Sequence, residues 1–218
     1  MKKYNVNKSR AGNVVSWVLS LIMIAAGVAL IASFFLAGRL DSTATNSDNP
    51  GGFNVPRLET TPDENTSSTG PQDKTLELTV PAMSRIENDD IPYTVGDDEE
   101  TLKTNAAIHL EGTGFPWDSE ANVYIAGHRL GYPGTESWLT FWDLDKVGPG
   151  DKIYVTDAEG TEYTYEVFKT FVVSPSASHV TDAKAGKNIL TLQTCTLPDY
   201  KQRLIVQSEL TDTQAKAA

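Results

Sequence analysis

The chain carries a single cysteine, Cys195, and an arginine, Arg203, set just after it across a short loop. It also carries three histidines, His109, His128 and His179. A thiol, an imidazole and a guanidinium are the groups that acyl transfer through a cysteine needs. The thiol attacks a carbonyl, the imidazole carries the proton, and a fixed cation steadies the oxygen as it gains charge. Cys195 closes the apolar, alternating segment "NILTLQTC", and the turn-forming "TLPDY" follows. A thiol at a strand exit is expected to be exposed. The competing reading is a buried cysteine acting as a small apolar side chain. If the chain lies outside the cell, a free thiol is an oxidation hazard, which argues against an idle one.

Arg203 opens the next strand-like segment, "RLIVQSEL". If that segment pairs antiparallel with "NILTLQTC", the guanidinium comes beside the thiol; otherwise it is an ordinary surface ion pair. Among the histidines, His128 ends "NVYIAGH" and precedes the Gly/Pro-rich "LGYPGTES", which makes it the candidate proton carrier. His109 in "NAAIHLEG" and His179 in "SPSASHVTD" read as surface or loop positions.

The elements that must position these groups lie in one folded domain, 75–210, long enough to bury one core. Its segments are short and rich in β-branched and aromatic residues: "LELTV", "NVYIAGH", "KIYVT" and, after the turn "DAEGTE", "YTYEVFKTFVV" as a hairpin partner. "ESWLTFWDLDKV" (136–147) has the apolar spacing of a helix. The acidic "NDD" and "DDEE" read as solvated surface. Together these features indicate a mainly β barrel or sandwich with short helices.

Upstream, Lys2, Lys3, Lys8 and Arg10 precede an uncharged run, "VVSWVLSLIMIAAGVALIASFFLA" (14–37). About 24 residues at ~1.5 Å each make a helix of ~36 Å, enough to cross a ~30 Å hydrocarbon core. The basic flank places residues 1–13 in the cytoplasm and the rest outside. A cleaved signal peptide is the alternative, but its apolar region is normally shorter. Residues 38–74 are rich in Ser, Thr, Asn, Pro, Gly and acids and read as a flexible stalk, and 211–218 as a short tail. A formal charge of −11 excludes a basic nucleic-acid face. One cysteine and scattered histidines suggest neither a disulfide scaffold nor a zinc site, and no cofactor is expected.

"TLQTC" resembles the Thr-Leu-x-Thr-Cys signature of sortases, extracytoplasmic cysteine transpeptidases of Gram-positive bacteria; "YIAGHR" and "QRLIV" resemble their histidine and arginine strands. "AGHR", "FWDLDKVGPGDKIYV" and "TLQTCTLPDYKQRLIV" are most similar to the actinobacterial class E members. The resemblance implies an eight-stranded β-barrel after one transmembrane helix. It puts the nucleophile at Cys195, the general acid/base at His128, the oxyanion or substrate-orienting arginine at Arg203, and a substrate contact at Thr194. It implies cleavage of a Leu-Pro-x-Thr-Gly-like C-terminal signal on secreted proteins and transfer, through a thioacyl enzyme, to a cell-wall precursor or pilin amine. In class E a "GHYPGT"-like stretch precedes the histidine strand, whereas this chain has "IHLEGTGFP", with Leu110 for the usual Tyr. The Ser-x-Gly-Cys motif of L,D-transpeptidases is absent. A membrane-tethered β-barrel that only binds, with an inert cysteine, is the non-enzymatic alternative.

Overall fold

The computed structural model describes Met23, Val55 and residues 70–216. The basic N-terminus, the anchor at 14–37 except Met23, and nearly all of the stalk to residue 69 lie outside the described residues. Among those described, no helix is long and apolar enough to cross a membrane.

The folded region is one nine-stranded sheet that coils into a nearly closed barrel, rather than the eight strands expected. In chain order the strands are β1 (Leu76–Thr79), β2 (Asp89–Ile91), β3 (Tyr93–Thr94), β4 (Ile108–Leu110), β5 (Ala121–Ala126), β6 (Lys152–Thr156), β7 (Glu162–Val173), β8 (Asn188–Cys195) and β9 (Arg203–Gln214). Their spatial order is β2-β1-β6-β7-β9-β8-β5-β4-β3. Only β3–β4 and β5–β8 pair in parallel. The hairpin β6–β7 follows from alternation: Ile153, Val155, Tyr163 and Tyr165 are buried, and the residues between them are partly solvated.

β5 and β8 differ, because every one of their residues is buried. Val123, Ile125, Leu190 and Leu192 join the larger core with Leu76, Leu78, Ile153 and Val206. Their odd-out neighbours Tyr124, Ala126 and Cys195 join a second, smaller cluster on the other face, with Ile108, Leu110 and Ile205 from β4 and β9. Each fully buried aliphatic side chain is worth about 1.5–3 kcal/mol. Strands buried on both faces are therefore the most firmly fixed part of the sheet, and the candidate residues sit at their ends.

Residues 136–147 form no regular helix. The chain makes successive tight turns in which Trp138, Trp142, Leu144 and Val147 each bond back three residues, and a single 3-10 turn covers Leu144–Lys146. Phe141, Leu144 and Val147 are buried at intervals of three, which suits that turn spacing better than the α-helical one. Within residues 70–216 the α-helix, α1 (Glu99–Thr104), starts in the "DDEE" stretch that reads as solvated surface. Asp98 caps it, accepting from the Thr101 N–H at 3.1 Å and from the Thr101 and Thr94 hydroxyls at 2.6 and 2.8 Å. Glu99 and Glu100 occupy the first turn, where acids favour a helix.

Candidate active site at the ends of the central strands

The strand register decides which residues meet. Cys195 pairs with Arg203 at the end of the β8–β9 ladder, the antiparallel match expected from their segments. On the other side β8 runs parallel to β5, with Ala126 beside Gln193. Past the end of β5 the strands stay joined: Gly127 N–H donates to the Gln193 carbonyl at 3.1 Å, and the Thr194 hydroxyl donates to the Gly127 carbonyl at 2.8 Å. Two steps beyond the last paired positions, the same register sets His128 against Cys195, about one strand spacing (~4.8 Å) away in the backbone. Side chains alternate, so Tyr124, Ala126 and His128 share the face of Gln193 and Cys195. Residues directly paired across a ladder also share a face, which brings in Arg203.

All three groups are buried: Cys195 and Arg203 are 2% exposed and His128 1%. The thiol is therefore not the exposed strand-end group expected. It is covered by the smaller cluster, which includes Leu102 of α1, Val180 and Val55. Val55 belongs to the stretch read as a flexible stalk, yet this residue is 3% exposed and packed with the thiol's neighbours. Burial pushes the Cys195 thiol pKa up, while the guanidinium groups of Arg203 and Arg129 pull it down. An unperturbed thiol is about 3% ionised at pH 7, so the resting thiol here is ionised less than that.

Arg203 also has work in the fold. Its Nη1 donates to the carbonyls of Tyr200 and Gln202 at 3.2 and 3.3 Å, across the loop that joins β8 to β9. Thr194, expected to contact substrate, is fully buried here; alternation turns it to the face opposite Cys195, and its hydroxyl donates to the Gly127 carbonyl. It locks the strand ends that carry His128 and Cys195. Gly127 has its own reason, since a Cβ there would stand 2.9 Å from the Phe141 ring. Phe141 N–H donates to the His128 carbonyl at 3.3 Å, so the turns of 136–147 brace the histidine from behind.

Sequence reasoning missed three neighbours. Arg129 is 4% exposed, bonds Asp145 at 2.9 Å and lies 5.8 Å from the Trp142 ring. Glu99 places Oε1 3.5 Å from His128 Nε2. Tyr132 stands edge-on to the imidazole, with ring centres 5.6 Å apart. The "HR" dipeptide is the one local signal that could have found Arg129; nothing local points to Glu99, because only the fold brings α1 to the end of β5. His109, expected at the surface, is completely buried on β4. His179 is the second residue of a short 3-10 turn at Ser178–Thr181 and is exposed.

Among the described residues no group of three or more His, Cys, Asp or Glu is gathered as a metal ion would need. A cavity of about 680 Å³ lined by Asp73, Glu77, Asp90, Asp157 and Lys216 includes none of the three groups. Lys216 follows the far end of β9 from Arg203, so this cavity is remote from the thiol.

The family model of the sortase domain matches residues 78–211. The chain belongs to the sortase family. It is 31% identical over 139 residues to Sortase A of Streptococcus agalactiae serotype III (strain NEM316), covering 63% of this chain and 50% of that protein. The chain thus spans about half the length of that curated relative. Among solved structures it resembles Streptococcus pneumoniae Sortase C, with a TM-score of 0.55, 27% identity and coverage of 68% of this chain and 74% of that one. It also resembles Sortase A from Corynebacterium diphtheriae, with a TM-score of 0.54, 26% identity and coverage of 63% and 60%.

Proposed function

We propose that this sortase is a membrane-anchored cysteine transpeptidase acting on secreted proteins that carry a C-terminal Leu-Pro-x-Thr-Gly or Leu-Ala-x-Thr-Gly signal. The observation that carries the reading is the pairing of Cys195 with Arg203 beside the strand end that holds His128. His128 takes the thiol proton, and Cys195 Sγ attacks the Thr carbonyl carbon. Arg203 faces the oxygen that gains charge. The C–N bond to Gly breaks, and His128 returns its proton to the leaving amine. A cell-wall precursor amine or a pilin lysine then attacks the thioester and frees the thiol. Low ionisation at rest suits this order, since proton transfer accompanies attack.

The motifs "AGHR" and "TLQTCTLPDYKQRLIV" support a class E assignment within the family. Leu110 supports no choice between Pro and Ala in the signal: it is fully buried in the smaller cluster. The uncharged run 14–37 behind a basic flank supports an anchor with the domain outside the cell. Protease added to intact protoplasts is expected to release the domain; complete protection would invert the topology. Turnover of peptides varying only the second signal position tests the activity and its preference together. The reading fails if neither the Pro nor the Ala peptide is cleaved by the wild-type chain.

A further inference from the structure

Glu99 lies outside the thiol, imidazole and guanidinium set, yet its placement is closely specified. The cap at Asp98 ties the first turn of α1 to Thr94 on β3. Leu102, one turn on from Glu99, packs in the cluster that covers Cys195. Residues three apart share a helix face, so α1 docks with Glu99 and Leu102 toward the site. Glu99 Oε1 accepts a hydrogen bond from the Tyr132 hydroxyl at 2.5 Å. The same oxygen stands 3.5 Å from His128 Nε2, and the Tyr132 ring meets the imidazole edge at 90°. The carboxylate is about one-third exposed, while the imidazole is 1% exposed.

We propose that Glu99 is a positioning residue for His128, holding the imidazole in place and stabilising the imidazolium formed when Cys195 gives up its proton. The inference rests on the transpeptidase reading for its substrate but on the structure for its geometry. A distance of 3.5 Å is long for a hydrogen bond and suits a contact that tightens when the ring becomes charged. The proton path does not run through Glu99: the thiol proton moves to His128 and then to the leaving amine. The guanidinium groups of Arg203 and Arg129 act on Cys195, and the Glu99 carboxylate is the anion that stands at the imidazole. Tyr132 fixes which way the carboxylate points.

The test uses the full-length chain and its Glu99→Gln, Glu99→Asp and Tyr132→Phe variants, with Cys195→Ala as the blank. Glutamine still accepts the Tyr132 hydroxyl, so a purely structural Glu99 would be replaced by it without loss. Glu99→Gln is expected to lower kcat on a sorting-signal peptide ~10–100-fold with KM within about twofold. The rate of Cys195 alkylation by iodoacetamide, which needs no substrate, should fall as well. Glu99→Asp keeps the charge and should recover part of both, and Tyr132→Phe should cost about 3–10-fold. Unchanged kcat and alkylation in Glu99→Gln overturn the proposal, as does a rise in KM alone. If the wild-type chain cleaves no peptide while alkylation still tracks Glu99, the function reading fails and the positioning role stands. Should Glu99→Gln fold poorly, Glu99→Asp and Tyr132→Phe decide it by the same two rates.

Discussion

Two histidines of this chain are buried to the same degree and held in opposite ways. His109 on β4 is 0% exposed and His128 just past β5 is 1% exposed. His109 pairs with Ile125, which belongs to the larger core, so its side chain shares that face. There it is flanked by Tyr93 and Phe115 with ring centres 4.9 Å away, and its Nε2 meets the Gly114 carbonyl at 3.0 Å. Burial pushes its pKa down to about 3, so it stays neutral. Alternation puts His128 on the other face, which carries Cys195 and its ladder partner Arg203, with the Glu99 carboxylate 3.5 Å from its Nε2. Burial alone therefore does not tell the two imidazoles apart. The face of the sheet does, and a shift of one residue would exchange their surroundings.

The comparison breaks most sharply under substitution. His128→Ala is expected to lower kcat/KM for the sorting-signal peptide by about 10²–10⁴ with the fold retained. His109→Phe, which suits the aromatic surroundings, should leave kcat/KM within about threefold. Similar losses at both would mean that the two faces do not differ in function. Next in size, Arg203→Lys should cut turnover about 10²–10³-fold. Because Arg203 also bonds Tyr200 and Gln202, a fall in melting temperature should accompany it. A lower melting temperature with turnover intact would assign Arg203 to the loop alone.

Acid sharpens the comparison through His109. It is neutral in the fold, with a pKa of about 3, but an unfolded histidine titrates near 6.5, so the unfolded state binds the extra proton. Its contribution to stability is complete above pH ~6.5 and is lost as pH falls toward ~3. Between pH 7 and 5 that loss amounts to about 2 kcal/mol. Denaturant unfolding of wild type and His109→Phe at the two pH values should show the slope reduced by that amount in the variant; equal slopes would contradict it. The smallest effect concerns the cover over Cys195. Val55→Gly should speed alkylation of Cys195 a few-fold, and an unchanged rate would show that Val55 does not limit access to the thiol.

What could be read from the sequence follows strand length. β6 and β8 match "KIYVT" and "NILTLQTC" residue for residue, and β9 begins at the expected Arg203. These strands carry four or more apolar or β-branched residues between clear turns, so alternation marks them. β2, β3 and β4 are two or three residues long, too short for any period to show. The apolar spacing of 136–147 suggested a helix, but Gly131, at φ +67°, and Leu139, at φ +60°, fold that stretch back on the histidine segment. Leu139 N–H donates to the Leu130 carbonyl at 2.9 Å, an override of local pattern by tertiary contact. Within the site, the pairing of Cys195 with Arg203 was legible because both lie on consecutive strands. Glu99 was not, since a carboxylate in an acidic run looks solvated until α1 is docked. The burial of Cys195 was also hidden, because its cover comes from distant Val55, Leu102 and Val180.

If Cys195 is the nucleophile, it forms a thioester with the sorting-signal threonine. The full-length chain should be incubated with a signal peptide and no amine acceptor, then its intact mass recorded. The expected result is a gain equal to the acyl fragment ending at Thr, located on Cys195, removed by hydroxylamine and absent in Cys195→Ala. A wild-type chain that cleaves the peptide with no such adduct, or an adduct that persists in Cys195→Ala, would contradict it.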